Sequence, residues 1–226
     1  MVTTGETANM FTLKIDGTTP PTAESVKALA ALCDQAEDHA GPAAVTLHVE
    51  GVPTEGWTTG LSVAAVTKWE RTLRRLERLP TPTVAVASGE CGGTALDAFL
   101  ATDFRIAATG TRLLLVSDGE ATWPGMAAYR LVQQAGVAAV RRALLLGRPI
   151  PAAEAAALGL ADEVTDDPAS ALEATVRAVL QLPGKELAIR RQLLFDATTT
   201  SFEDAIGPHL AACDRALRRV SAGAAP

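Results

Sequence analysis

The stretch ASGECGGTALDAF, residues 87–99, combines a glycine-rich segment with a carboxylate that follows the glycines. Three glycines follow an apolar run and precede Thr94, and Asp97 comes three residues later. Glycines between a strand and a helix let a ligand approach backbone N–H groups, and the helix N-terminus adds partial positive charge. Such groups can hold a carbonyl oxygen that gains negative charge, and Thr94 and Asp97 share one helix face. Taken alone, the stretch favours a structural turn with an exposed aspartate, and the alternative is an oxyanion hole beside an acid or base.

Two other uses of a glycine-rich loop do not fit this stretch. The spacing in GECGGT differs from the G-x-G-x-x-G of dinucleotide-binding loops. The stretch also lacks the Lys-Ser/Thr pair of a Walker phosphate loop. The sequence therefore does not predict a nucleotide site here.

Alternating strands and helices must position this stretch. Strands are predicted at 10–16, 43–51, 83–89, 104–108 and 111–117, and helices at 22–39, 61–79, 95–103 and, in two parts divided at Gly136, 125–147. Residues 52–60 and 118–125 are predicted as loops, and the last third of the chain is predicted to be helical after a short strand near 164. This order predicts an α/β core at 1–165 and a helical C-terminal region at 166–226 that packs in an oligomer.

Composition and charge limit the classes of function. The chain has 226 residues, 48% of them hydrophobic, which is enough for a sizeable buried core. The net charge of −6 argues against nucleic acid as a partner. Three cysteines without regular spacing predict neither a disulfide framework nor a metal site. No secretory pattern or membrane-length apolar run is present, so we expect a cytoplasmic protein with no membrane partner.

The region 79–164 resembles the crotonase (enoyl-CoA hydratase/isomerase) superfamily. The resemblance covers LPTPTVAVASGECGGTALDAFLATDFRIA, the WPG loop and, most specifically, LLLGRPIPAAEAAALGLADEV. It implies a crotonase-like ββα superhelix with a helical C-terminal region. It also implies an acyl-CoA thioester as substrate, no further cofactor or metal, and a homo-oligomer of three or six subunits.

The same resemblance assigns residues. Gly92 and Gly93 fall in the glycine-rich loop, and the backbone N–H of Thr94 falls on an oxyanion donor. Asp97 falls on the first catalytic glutamate and keeps a carboxylate one methylene shorter. Ser117 falls on the second catalytic glutamate, where this chain departs from the hydratase pattern. Asp118 and Glu120 are alternative acids if the register of that loop differs.

The second oxyanion donor and the acyl pocket remain open in the sequence. The segment VPTEGWTTG replaces the family's A-G-A-D-like donor loop, so Gly56, Trp57 or Gly60 could supply the second N–H. Trp57 and Trp123 could line a pocket for an aromatic or polyketide acyl group, or they could only close the edge of the core.

The segments RTLRRLERLPTPTVAVAS and WPGMAAYRLVQQAG resemble one subgroup more closely. It comprises small crotonase-type accessory proteins of 3,5-dihydroxyphenylglycine biosynthesis. Its partners would be a type III polyketide synthase, which makes dihydroxyphenylacetyl-CoA from malonyl-CoA, and a second crotonase-type enzyme. The resemblance implies a lyase that dehydrates or aromatises a polyketide thioester. The alternatives are a non-catalytic partner that stimulates the synthase and a conventional enoyl-CoA hydratase.

Overall fold

A mostly parallel sheet forms the centre of the molecule in the computed structural model, which describes residues 9–119, 121–182 and 184–223. The strands are β1 (Met10–Asp16), β2 (Ala44–Gly51), β3 (Thr83–Gly92), β4 (Phe104–Ala108), β5 (Arg112–Leu114), β6 (Ser117–Asp118), β7 (Ala121–Thr122), β8 (Ile150–Pro151) and β9 (Glu163–Thr165). The order β1-β2-β3-β4-β9 is parallel throughout, as crossover helices require.

Helices cover the sheet and complete the C-terminal region. They are α1 (Ala23–Asp38), α2 (Val63–Leu76), α3 (Gly93–Leu100), α4 (Met126–Ala135), α5 (Val137–Leu146), α6 (Ala152–Ala157), α7 (Pro168–Val179), α8 (Gly184–Asp196) and α9 (Phe202–Gly223). The α/β class and the helical C-terminal region are as predicted. The division at residue 165 remains a prediction.

Local sequence signals place the first helices. Thr22 and Ser25 form a capping box at the start of α1, because each side chain accepts from the other's backbone N–H. The hydroxyl of Ser62 caps α2 by accepting from the N–H of Ala65.

The glycine-rich stretch is more extended than predicted. Strand β3 runs to Gly92 instead of ending near residue 89, because its last three residues pair with β5, Cys91 opposite Leu113. Helix α3 consequently begins at Gly93, two residues before the predicted start. The chain passes from a paired strand directly into the helix, so the N-terminus of α3 lies at the carboxyl end of β3.

The prediction of one strand at 111–117 is wrong. Strand β5 ends at Leu114, and Ser117 pairs with Thr122 in the small β6–β7 hairpin, inside a segment predicted as a loop. The hairpin places Trp123 beside β5, because the N–H of Trp123 donates to the carbonyl oxygen of Val116 at 2.8 Å.

Two apolar clusters hold the layers together. The larger lies between the sheet and α1–α6 and contains Trp69 and Phe99. The smaller lies on the opposite face, where Leu172 and Val179 of α7 pack against the sheet strands. The three cysteines are unpaired. Within the described ranges, no helix is both long and apolar enough to cross a membrane.

Candidate active site

A cleft opens where the start of α3 meets α2 and the β6–β7 hairpin. Its walls are mainly apolar, with a few polar groups. The residues that line it are Pro21, Trp57, Leu61, Val66, Trp69, Glu70, Gly93, Thr94, Leu96, Asp97, Leu114, Leu115, Val116, Trp123, Gly125 and Ala127. An apolar pocket with few convergent polar groups is typical of a small-molecule site.

Gly93 forms the first turn of α3 in a conformation that a side chain would strain. Its φ is +54°, in the left-handed region. A Cβ built there would lie 3.0 Å from the carbonyl oxygen of Gly17 and 3.0 Å from Cδ of Pro53. The tight approach of the 17 and 53 loops therefore requires glycine at this position.

Thr94 lines the cleft with its backbone, whereas its side chain anchors the turn after β1. Its Oγ1 lies 3.2 Å from the carbonyl oxygen of Asp16 and 3.1 Å from that of Thr19, and can donate to either. As the second residue of α3, Thr94 has no intrahelical acceptor for its N–H. No other hydrogen bond within the described chain uses that N–H. The amide is therefore available to an oxygen in the cleft.

Asp97 lines the cleft and is half-buried. The indole Nε1 of Trp69, itself buried, donates to Asp97 Oδ2 at 3.1 Å. Burial, and to a lesser extent the nearby Glu70 carboxylate, raises the pKa of Asp97 from 3.8 to about 7. Arg130 and hydrogen bonds from Trp69 and the Ala127 backbone act in the opposite direction on this pKa. A carboxyl with a pKa near neutrality can give and take protons near pH 7.

A buried ion-pair group, Glu70, Glu77 and Arg130, adjoins Asp97. Arg130 is only 6% exposed; its Nη1 lies 2.9 Å from Glu70 Oε2 and its Nε lies 2.7 Å from Glu77 Oε1. Glu70 lines both the cleft and a second cavity, and Glu77 lines the second cavity but not the cleft. Burial raises the pKa of Glu70, and Arg130 opposes that rise by stabilising the charged form.

The two tryptophans predicted to line the acyl pocket both line the cleft. Their rings meet edge to face, with centroids 5.1 Å apart. The indole N–H of Trp57 also donates to the carbonyl oxygen of Ser117 at 3.2 Å, which joins the 52–62 loop to the hairpin. Of the three candidate second donors, Trp57 lines the cleft, whereas Gly56 and Gly60 are exposed outside it.

The other predicted site residues lie around the cleft. Ser117 is exposed on the hairpin, and its carbonyl oxygen accepts a hydrogen bond from Trp57 at the cleft. The structure does not bring the Ser117 side chain to Asp97. Gly92 is buried against Val52 and lies one residue before Gly93, which lines the cleft. The side chain of Asp118 and the whole of Glu120 lie outside the described residues.

Three side chains of the site were not predicted from the sequence: Trp69, Glu70 and Arg130. The signal for the first two is the period of α2, where Val66, Trp69 and Leu73 recur at helical spacing. Glu70 lies next to this apolar face, which suggests a half-buried acid. Arg130 comes from a different helix, and only the packing of α4 against α3 brings it near.

The fold and the cleft together define a protein of the class that binds acyl thioesters. A family model described as Enoyl-CoA hydratase/isomerase matches residues 61–217. The chain belongs to the enoyl-CoA hydratase/isomerase family, and the superfamily expected from the sequence is confirmed.

Similar proteins agree with this assignment. A relative from Amycolatopsis orientalis, named Enoyl-CoA-hydratase, is 58% identical over 207 residues, covering 92% of this chain and 95% of the relative. A solved Pseudomonas aeruginosa protein is similar, with a TM-score of 0.78 and 25% identity over 92% of this chain and 97% of that chain. An enoyl-CoA hydratase/isomerase family protein from Silicibacter pomeroyi has a TM-score of 0.80 at 17% identity, covering 95% of this chain and 97% of that one, and shares the fold.

Proposed function

We propose that this protein is a lyase that removes water from, or aromatises, a polyketide thioester of coenzyme A. The observation that carries the proposal is the position of Asp97: it is half-buried, it lines the cleft, and it lies on the same helix face as Thr94, whose backbone N–H is available. The family supports an acyl-CoA substrate, and the finer assignment rests on the sequence resemblance and on this cleft.

The geometry supports a reaction through an enolate. Removal of water breaks one Cα–H bond and the Cβ–O bond, forms a carbon–carbon double bond and releases water. The thioester oxygen gains negative charge when the Cα proton leaves. An amide at the N-terminus of α3 stabilises that charge, and Asp97 moves a proton at the reacting carbons.

The aromatic walls favour a flat acyl group. Trp57 and Trp123 present two ring surfaces at the mouth of the cleft, and such rings pack well against a planar, partly unsaturated chain. We infer that the product is 3,5-dihydroxyphenylacetyl-CoA, made together with a type III polyketide synthase and a second crotonase-type enzyme.

The product profile of the synthase tests this function. The synthase is incubated with malonyl-CoA alone, with the wild-type protein and with the Asp97→Asn variant, and the thioester products are separated by mass. We expect the wild-type protein to raise the yield of the aromatic thioester and Asp97→Asn to abolish the increase. An Asp34→Asn variant, which changes an exposed salt bridge to Arg75, is the matched control.

A non-catalytic role is the second candidate. Residue 117 is an exposed serine, so the site lacks an acid at the second position that the hydratase pattern requires. This absence favours a non-catalytic role. If Asp97→Asn stimulates the synthase as well as the wild type does, this protein acts as a binding partner. Rapid turnover of crotonyl-CoA would instead identify a conventional hydratase.

A further inference from the structure

The cleft contains two carboxyl groups from different helices. Glu70 of α2 and Asp97 of α3 both line it, and the negative charge of Glu70 raises the pKa of Asp97. The side chain of Glu70 is 17% exposed, and it lines both the cleft and the second cavity. Proton transfer in an elimination needs one group to take the Cα proton and another to protonate the departing hydroxyl.

The environment of Glu70 fixes one of its oxygens and leaves the other available. Oε2 accepts from Arg130 Nη1 at 2.9 Å, and none of the hydrogen bonds within the described ranges engages Oε1. Because Arg130 is buried between Glu70 and Glu77, it holds the Glu70 carboxylate in one orientation. A buried cation in direct contact also favours the ionised form of a carboxyl group.

We propose that Glu70 is the second proton-transferring carboxyl of the cleft, oriented by Arg130 and acting with Asp97. This inference rests on the proposed lyase function. The Glu70 carboxylate takes the Cα proton of the thioester, and protonated Asp97 gives its proton to the Cβ hydroxyl, which leaves as water. The two carboxyls then exchange a proton through solvent to restore the starting state. Glu70 thus supplies the second acid–base group that Ser117 does not.

Paired variants test this role. Glu70→Gln keeps an oxygen for Arg130 but cannot take a proton, and Glu77→Gln removes the other carboxylate on the same arginine while leaving the cleft wall unchanged. In the synthase-coupled assay we expect Glu70→Gln to lower kcat about 100-fold or more, with KM changed by less than about threefold. We expect Glu77→Gln to lower kcat by less than about tenfold, because it weakens the contacts of Glu77 with Arg130 and Arg74 and leaves the Glu70–Arg130 pair in place.

Two further measurements distinguish a chemical role of Glu70 from a structural one. Glu70→Asp keeps the proton-accepting group, so it should recover part of the activity lost in Glu70→Gln. The pKa of Asp97, followed by carbon NMR, should fall in Glu70→Gln because a negative neighbour is lost. The charged groups that face this pair are Glu77 and Arg74 from α2 and Arg130 from α4, and all three remain in that variant.

The outcomes distinguish this inference from the proposed function. If Glu70→Gln is no worse than Glu77→Gln while Asp97→Asn is inactive, Glu70 has no part in proton transfer and the lyase function stands. If Glu70→Gln fails to fold, Glu70→Asp takes its place in the test. An active Glu70→Asp variant, together with an unchanged pKa of Asp97 in Glu77→Gln, supports the role. A Glu70→Asp variant that is as inactive as Asp97→Asn overturns it. If Asp97→Asn is fully active, the proposed lyase function is wrong, whatever the result for Glu70→Gln.

Discussion

Replacing Asp97 with asparagine should change how the stability of the protein depends on pH. Burial raises the pKa of this carboxyl from 3.8 to about 7 in the native state. Between these two values the native state binds a proton that the unfolded chain has already released. The stabilisation is therefore fully present below the unfolded pKa and is lost as the pH rises through the native pKa.

The size of this effect follows from the pKa difference. Each pH unit between 5 and 7 lowers the free energy of unfolding by about 1.4 kcal/mol for this one group, so the wild type loses about 2.7 kcal/mol between pH 5 and pH 8. The asparagine side chain does not titrate, and its amide oxygen can still accept from Trp69.

The assay is urea unfolding of both proteins at pH 5 and pH 8, followed by circular dichroism. Other titrating groups are shared, so they cancel when the two pH dependences are subtracted. We expect Asp97→Asn to gain about 2 to 3 kcal/mol relative to the wild type between pH 5 and pH 8. Parallel pH dependences, within about 0.5 kcal/mol, would show that Asp97 is ionised and well solvated in the native state, and the reasoning about the cleft would be wrong.

Three other substitutions test the local geometry. Gly93→Ala places a Cβ against two neighbouring loops and should cost about 1 to 3 kcal/mol more than Gly89→Ala, which has a similar φ but open space around it; equal losses in thermal unfolding would contradict this. Arg130→Met leaves Glu70 without its cation and Glu77 with Arg74 alone, so urea unfolding should give a loss of about 3 to 5 kcal/mol, and a loss below about 1 kcal/mol would mean that the pairs are solvated. Trp69→Phe removes a hydrogen-bond donor to the charged form, which should raise the pKa of Asp97 above about 7 by NMR; an unchanged pKa would contradict the hydrogen bond.

The core of the fold could be predicted from the sequence because its signals are local. Apolar alternation indicates β1, the Thr22 and Ser25 pattern indicates the start of α1, and Gly136 divides α4 from α5. The end of β3 could not be predicted in this way. Its last residues are extended because β5 pairs with them, and a pairing partner more than twenty residues later leaves no local signal.

The candidate site was predictable to a similar extent. Asp97 and Thr94 were found because they lie three residues apart in one motif, and the structure places both at the cleft. The contacts of Asp97 could not be found, because Trp69 and Arg130 reach it from two other helices. The side chain of Thr94 shows the same limit: its acceptors belong to the turn after β1, far away in the sequence.

Hydrogen exchange at the thioester tests the central claim most directly. A CoA thioester such as 3,5-dihydroxyphenylacetyl-CoA is incubated with the protein in deuterated buffer, and deuterium at Cα is measured by mass spectrometry. The wild-type protein should accelerate exchange above the buffer rate, and Glu70→Gln, which lacks the group that takes the Cα proton, should not. Exchange at the buffer rate with the wild-type protein would show that this cleft does not move a proton at that carbon, and equal acceleration by Glu70→Gln would show that Glu70 is not the group that takes it.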